Sequence, residues 1–430
     1  MFPKVPVERF QLDNGLRVVL APDPSSPAVG VAVHYGVGFR DETPGRTGFA
    51  HLFEHLMFQG SATLAKLEHF RLVQGNGGTF NGTTQDDFTD YFEVLPSDAL
   101  ELGLFLEADR MRGIRLDEAN LRNQVDVVEE EVRLNVLNRP YGGFPWLYLP
   151  SVVFRKFGNA HNSYGEFSDL EAATLEDAAD FFETYYTPAN AVLTVSGNFE
   201  KRKALDAIRR HFEKIPPGKP PPPRDLDEPP PTRQRRKVHT DPRAPEPGVA
   251  IGYRVPNPQT EMRQYIALGL GMAALVTGRA SRAYRTLVKE LRLATSVSSH
   301  LGLAGGPFDC RHPALGQFVV MFRNPGAVDE VVEAFDSVLG EVAASGFRPE
   351  EVESIRPVVA SRLLQGLDSA LQRALFVASF ESVYDDARLV NEALSCYESV
   401  SVEEVAEAVS RWLATRKRGI LEWRPGMGRS

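Results

Sequence analysis

Nine prolines fall between residues 215 and 231 in the stretch IPPGKPPPPRDLDEPPPTRQRRKVH, residues 215–239. Proline fixes φ and lacks an N–H, so this stretch can form neither a helix interior nor a central strand. The sequence therefore predicts an exposed, stiff linker over 216–239, flanked by two halves of similar length, 1–215 and 240–430. Length points the same way, since one hydrophobic core rarely grows beyond about 250 to 300 residues and the chain has 430. The cluster Arg233, Arg235, Arg236 and Lys237 reads as the solvated edge of that linker, because it stands alone in a chain of formal charge -9.

Each half opens on strand-like runs and continues into apolar-periodic helices. The first half has GLRVVLAP and PAVGVAVHYGVG, a helix over about 48–58, DYFEVLP and a helix over 100–111. The second has GVAIGYRVP, a helical region over about 262–291, GQFVVMFRNP and a helix over 328–344. This order predicts an α+β fold of two related domains, each a mainly antiparallel sheet packed against helices. At 43% hydrophobic and 24% charged, the chain has material for packed cores and too little charge bias for disorder. The acidic balance argues against a nucleic-acid partner. Only Cys310 and Cys396 occur, which excludes a disulfide scaffold and a zinc site built mainly from thiolates. The best candidate for a membrane span, residues 265–276, is too short where roughly 20 residues are needed. The start lacks the apolar core of a signal peptide, so a cytoplasmic location with no membrane span is expected.

In TGFAHLFEHLMFQG, residues 47–60, three polar groups interrupt an apolar helix. His51 and His55 are four apart, so both imidazoles project from one side, a spacing that can hold one Zn²⁺ at about 2.0–2.1 Å per bond. Glu54 lies beside that face and can take a proton from a metal-activated water. Burying these groups among Leu52, Phe53, Leu56, Met57 and Phe58 without partners would cost stability, so the pattern argues for function. Two imidazoles leave zinc short of a protein ligand. The helical stretch LRNQVDVVEEEVRLNVLN, 121–138, offers Asp126, Glu129, Glu130 and Glu131. Residues 124, 128, 131 and 135 share one helical face whose amide and apolar character suits an inward ligand, but spacing alone leaves Glu130 and Glu131 open. The Gly-rich GNGGTFNGTTQDDF, 75–88, matches no phosphate-binding loop.

HLFEH, followed 76 residues after its second His by the last Glu of VVEEEVR, resembles the inverted zinc metallopeptidases related to insulinase, pitrilysin and the mitochondrial processing peptidase. RTGFAHLFEHLMFQG, GGTFNGTTQDDFTDYFEVLP, NRPYG, FFETYYTPANAVLTVSGNF and ALVTGRASRAYRTLVKELRLATSVSS carry the likeness over nearly the whole chain. The resemblance implies a zinc endopeptidase with one Zn²⁺ held by His51, His55 and Glu131, with Glu54 as general base and Glu130 as the reserve ligand. It implies that Thr79, Phe80, Asn81, Gly82 and Thr83 form an edge strand to which an extended peptide or unfolded polypeptide adds as a further strand. It also implies domains facing each other as a clamshell, the second one non-catalytic, and a homodimer or a heterodimer with a related subunit.

Two positions depart from the family pattern. Gln124 stands where many active relatives carry a supporting glutamate. An Arg/Tyr pair that grips the substrate carbonyl in some relatives has no match here, its place holding Gln317 and Arg323. Zinc alone, Tyr284 or a partner subunit is the expected substitute. His300 and His312 read as structural. The alternative to a peptidase is a catalytically weak or inactive partner subunit of a processing or peptidase complex.

Overall fold

A computed structural model describes residues 2–426. Strands β1 (Glu8–Gln11), β2 (Arg17–Pro22), β3 (Ala28–Tyr35), β4 (Thr79–Thr84), β5 (Thr89–Pro96) and β6 (Ala191–Gly197) form one sheet in the order β1-β2-β6-β3-β5-β4. Strands β7 (Arg235–Asp241), β8 (Gly248–Arg254), β9 (Ser296–Leu301), β10 (Leu315–Met321) and β11 (Gly419–Pro425) form the other, β7-β11-β8-β10-β9. Setting β1 aside, the two orders are the same when each half is counted in chain order. Each has one parallel pair, β2 with β6 and β7 with β11, in an otherwise antiparallel sheet. The fold is α+β with two related domains, and the relation lies in the topology more than in matching residues.

Strand β3 reads AVGVAVHY and is buried along nearly its whole length, which requires cover on both faces. Val29, Val31 and Val33 join the core formed with helices Phe49–Leu56 and Leu100–Arg112. The opposite face meets helix Ala370–Tyr384 from the second half. The approach is so close that a Cβ on Gly30 would sit 2.9 Å from the Ala370 carbonyl oxygen. In return, Leu149 and helix Pro150–Val153 of the first half pack on Gly252 and Gly419 of the second sheet. Each half lends a helix to the other's sheet, and Val19 and Val192 of the first sheet join the core of the second half.

Three expectations need correction. The irregular stretch covers 216–234, because Arg235–Asp241 forms β7, whose parallel partner β11 arrives from the far end of the chain. Arg235, Arg236 and Lys237 therefore belong to a strand, with Arg236 paired to Glu422 and Asp329. The irregular stretch is mostly exposed, as expected, but it is pinned to the first half: Arg224 pairs with Asp41 at 2.5 Å and Asp87 at 2.7 Å, and Glu228 accepts the Arg155 and Lys156 N–H groups. The helix expected over 262–291 ends at Val276, near Gly278 with its φ of 84°, and a separate π-helical turn follows at Tyr284–Glu290. Among the described residues no helix is long and apolar enough to cross a membrane.

Candidate metal centre

The motif helix, Phe49–Leu56, begins at Gly48, whose φ of 83° only glycine adopts readily, and Gly48 has no side chain to cap it. The carboxylate of Glu42 supplies the cap from outside, accepting the Gly48 N–H at 2.9 Å and the Ala50 N–H at 3.0 Å. Phe49, Leu52, Phe53 and Leu56 anchor the helix in the first core. His51 and His55 project from the remaining side, toward helix Glu118–Val132.

Three side chains converge there. The Nε2 atom of His55 lies 3.3 Å from one Glu131 oxygen, and Nε2 of His51 lies 3.7 Å from the other. Ligand atoms of all three lie within 4.8 Å of one another. A tetrahedral zinc ion with bonds of about 2.0–2.1 Å would hold its ligand atoms roughly 3.3–3.4 Å apart, so the donor set fits that ion in both chemistry and size. Burial, reinforced by His55, pushes the His51 pKa down to about 4, which keeps its lone pair free. The hydrogen bond with His55, helped by the electrostatics of the two neighbouring imidazoles, holds the Glu131 pKa below the usual carboxylate value despite partial burial. Asn135, one turn on, adds a hydrogen bond to that carboxylate. Glu130 points elsewhere, its side chain 59% exposed and 3.7 Å from Arg133.

Glu54 stands beside this trio on the same cavity wall. Burial raises its pKa, opposed by the Thr84 hydroxyl, which donates to its carboxylate at 2.6 Å. The edge strand comes close at Gly82, where a Cβ would be 3.2 Å from both Glu54 Cγ and a Tyr91 ring carbon. The cavity is about 320 Å³ and is lined by His51, Glu54 and Glu131 with Thr83, Thr84 and Tyr164, among others. Ala304 of the second half also borders it, and its N–H donates to Asp86 at 3.1 Å. Among the described residues strand β4 pairs only with β5 and leaves its other edge open, with Thr79 and Asn81 exposed and Gly82 buried.

Of the residues singled out in the sequence, the structure brings together His51, Glu54, His55, Glu131 and Thr83, with Thr79, Phe80, Asn81 and Gly82 along the same strand. Gln124 is buried and its amide donates to Asn123 at 2.9 Å. Tyr284, Gln317 and Arg323 do not line the cavity; the phenol on its wall is Tyr164, whose ring meets His51 edge-on at 5.2 Å. Sequence reasoning missed Thr84 and Tyr164. Thr84 was one residue beyond the strand segment singled out, whereas nothing local to NSYGEF marks Tyr164. His300 binds the Leu303 carbonyl, in keeping with a structural role. A second set of possible ligands, His69, Glu93 and Glu107, has Arg110 wedged among it. That guanidinium already supplies the positive charge, and it lies 4.9 Å from the Phe58 ring and 4.7 Å from the Tyr91 ring, behind the motif helix and edge strand.

Known proteins resemble this chain. Residues 17–139 match the family described as insulinase (peptidase family M16), and residues 172–357 match the peptidase M16 inactive domain. A zinc protease of Helicobacter pylori, PqqE, is 30% identical over 356 residues, 76% of each chain. An uncharacterized zinc protease of Mycobacterium tuberculosis is 28% identical over 96% of this chain and 91% of its own. A protease from Helicobacter pylori of known crystal structure superposes with a TM-score of 0.87 at 24% identity, over 98% of this chain and all of its own, a likeness of fold. With the two M16 segments following one another along the chain and PqqE matched over three quarters of its length, this protein belongs to the M16 peptidase family.

Proposed function

We propose that the protein is a zinc-dependent endopeptidase acting on extended peptides or unfolded polypeptides. The observation that carries this reading is the meeting of His51, His55 and Glu131 with the Glu54 carboxylate on one cavity wall, beside an open strand edge. His51, His55 and Glu131 would hold the ion, which when bound supplies Lewis-acid chemistry at the scissile carbonyl. Glu54, half-buried and raised in pKa, takes the proton of the attacking water and returns it to the leaving amine. Thr84 orients that carboxylate. The open edge over Thr79, Phe80, Asn81, Gly82 and Thr83 offers main-chain partners to a peptide, which aligns one bond with Glu54 while tolerating many side chains.

On this reading residues 1–215 are the catalytic unit and 240–430 a non-catalytic one, and a second copy or related subunit completes the chamber. Glu54→Gln is expected to keep zinc at wild-type stoichiometry while hydrolysis of a quenched peptide library falls by at least about 10³-fold. Undiminished turnover in the metal-loaded variant would sink the assignment. A second reading, a partner subunit of low activity, draws support from the neutral amide of Gln124 where a carboxylate would aid catalysis. Zinc-loaded protein without chelator-sensitive cleavage, alone or as a dimer, would select it.

A further inference from the structure

The segment that carries Tyr164 is tied to the motif helix by a buried ion pair. The His161 side chain is 6% exposed and that of Glu42 is fully enclosed, with His161 Nε2 3.0 Å from a Glu42 oxygen. The other ring nitrogen, Nδ1, lies 3.0 Å from the carbonyl oxygen of Phe157. With Glu42 ionised, both oxygens accept and both ring nitrogens donate, which is the pattern of an imidazolium. The Phe157 ring stacks on the imidazole with centroids 4.6 Å apart and planes 9° apart, an arrangement that favours a cation. Glu42 in turn accepts three donors, His161 and the Gly48 and Ala50 N–H groups.

The two segments also touch through their backbones. A Cβ on Gly165 would lie 2.4 Å from the Gly48 nitrogen, and one on Gly48 would lie 2.8 Å from the Tyr164 carbonyl oxygen. Thr47 fastens the same junction, donating to Asp169 at 2.6 Å and accepting the Glu166 N–H at 2.9 Å. A shift of this segment therefore moves both Tyr164 and the first turn of the helix that bears His51 and Glu54.

We propose that His161, held as an imidazolium between Glu42 and the Phe157 carbonyl, is a positioning residue that locks the Tyr164 segment to the N-terminus of the motif helix and so fixes His51 and Glu54. The proposal rests on the zinc-peptidase reading for its functional meaning. Burial opposes the charge on His161, but the hydrogen bond and charge of Glu42 outweigh it, and the His161 pKa is raised above 6.5. Burial raises the Glu42 pKa, opposed by the hydrogen bond and charge of His161 and by the Gly48 and Ala50 N–H groups. Asp86, on the turn after β4, adds a favourable charge toward His161. Of the other charged groups bordering the Glu42 cavity, Asp41 is paired with Arg224 and Asp177 with Arg46, while Asp180 completes the wall. For a histidine whose pKa rises on folding, the stabilisation is complete below the unfolded value and is lost as pH rises through the folded one.

The test is made on the full-length zinc-loaded protein. Nitrogen-15 histidine spectra, assigned with His161→Gln, are expected to show both His161 nitrogens protonated at pH 7. His161→Gln should release zinc to a chelator about 10- to 100-fold faster and lower kcat about tenfold with little change in KM. His161→Arg, which keeps the charge and two donors, should recover most of the zinc retention, and the pH dependence of wild-type unfolding should lose its His161 limb in the Gln variant. A neutral His161 at pH 7, or zinc release unchanged in His161→Gln, overturns the proposal, as does His161→Arg releasing zinc as fast as the Gln form. If His161→Gln does not fold, the Arg variant and the wild-type spectra still decide it. A protein that binds zinc yet cleaves no peptide refutes the peptidase reading, while the spectra and zinc release judge the positioning role separately.

Discussion

The two sheets repeat one strand order but not one chemistry. A helix lies between corresponding strands of each, Phe49–Leu56 after β3 and Met262–Val276 after β8. In the first, FAHLFEHL sets two imidazoles and a carboxylate into an apolar helix; in the second, MRQYIALGLGMAALV has no acidic or histidine side chain at all. Both sheets end in an edge strand, β4 and β9, and both have a cleft beside it. The cleft in the first half is about 320 Å³ and carries His51, Glu54 and Glu131. Its counterpart is about 550 Å³ and is lined largely by apolar groups such as Met272, Val276, Val297 and Leu363. Topology supplies a cleft and an open edge twice over, and a few side chains on two helices give the first cleft its set of possible metal ligands.

The sharpest way to break this comparison is at the carboxylate contributed by helix Glu118–Val132. Glu131→Gln is expected to reduce zinc content and peptide hydrolysis by about 100-fold, a loss at the upper end for a single group around a metal, whereas Glu130→Gln leaves both near wild type. Equal losses, by metal analysis and turnover, would place the third ligand elsewhere. A packing test comes next. Gly30→Ala drives a Cβ against the Ala370 backbone, and chemical denaturation should register a loss of about 1–3 kcal/mol if helix Ala370–Tyr384 is integral to the first sheet. An unchanged midpoint would make that helix a loose appendage. At the edge strand, Gly82→Ala crowds Glu54 and Tyr91 from 3.2 Å, and kcat/KM should fall about tenfold with zinc retained. The smallest effect is expected in the second cleft: His300→Ala should leave zinc content and hydrolysis of short peptides within about twofold, as surface changes remote from a site usually do. A large loss there would mean that the second half takes part in the chemistry.

Much of the architecture was legible because local patterns and tertiary packing agree. The β3 run AVGVAVHY and the motif helix lie where periodicity and spacing put them, and the edge strand at 79–84 where the family resemblance put it, within a residue or two. The proline stretch misled at its end, since a strand such as Arg235–Asp241 is defined by a partner more than 180 residues away, and pairing of that range leaves no local mark. The exchanged helices were invisible for the same reason. Helix Ala370–Tyr384 is buried broadly around its circumference, but nothing in its own residues says which sheet buries it.

At the site the division is similar. The i, i+4 histidines and the glutamate between them follow from the helical repeat alone, because 3.6 residues per turn puts them on one side whatever surrounds the helix. A third ligand was required by the coordination number, and the acidic run at 126–131 narrowed it to a few residues. Which of Glu130 and Glu131 turns inward depends on how that helix rolls against the motif helix, and packing alone sets that roll. Likewise Thr84 reaches Glu54, Tyr164 reaches His51, and Glu42 with His161 caps the motif helix only once the chain has folded back on itself. The sequence by itself determined the chemistry available to the motif helix, since that chemistry is local; tertiary structure decided which distant groups orient it, since their contacts exist only between segments that packing brings together.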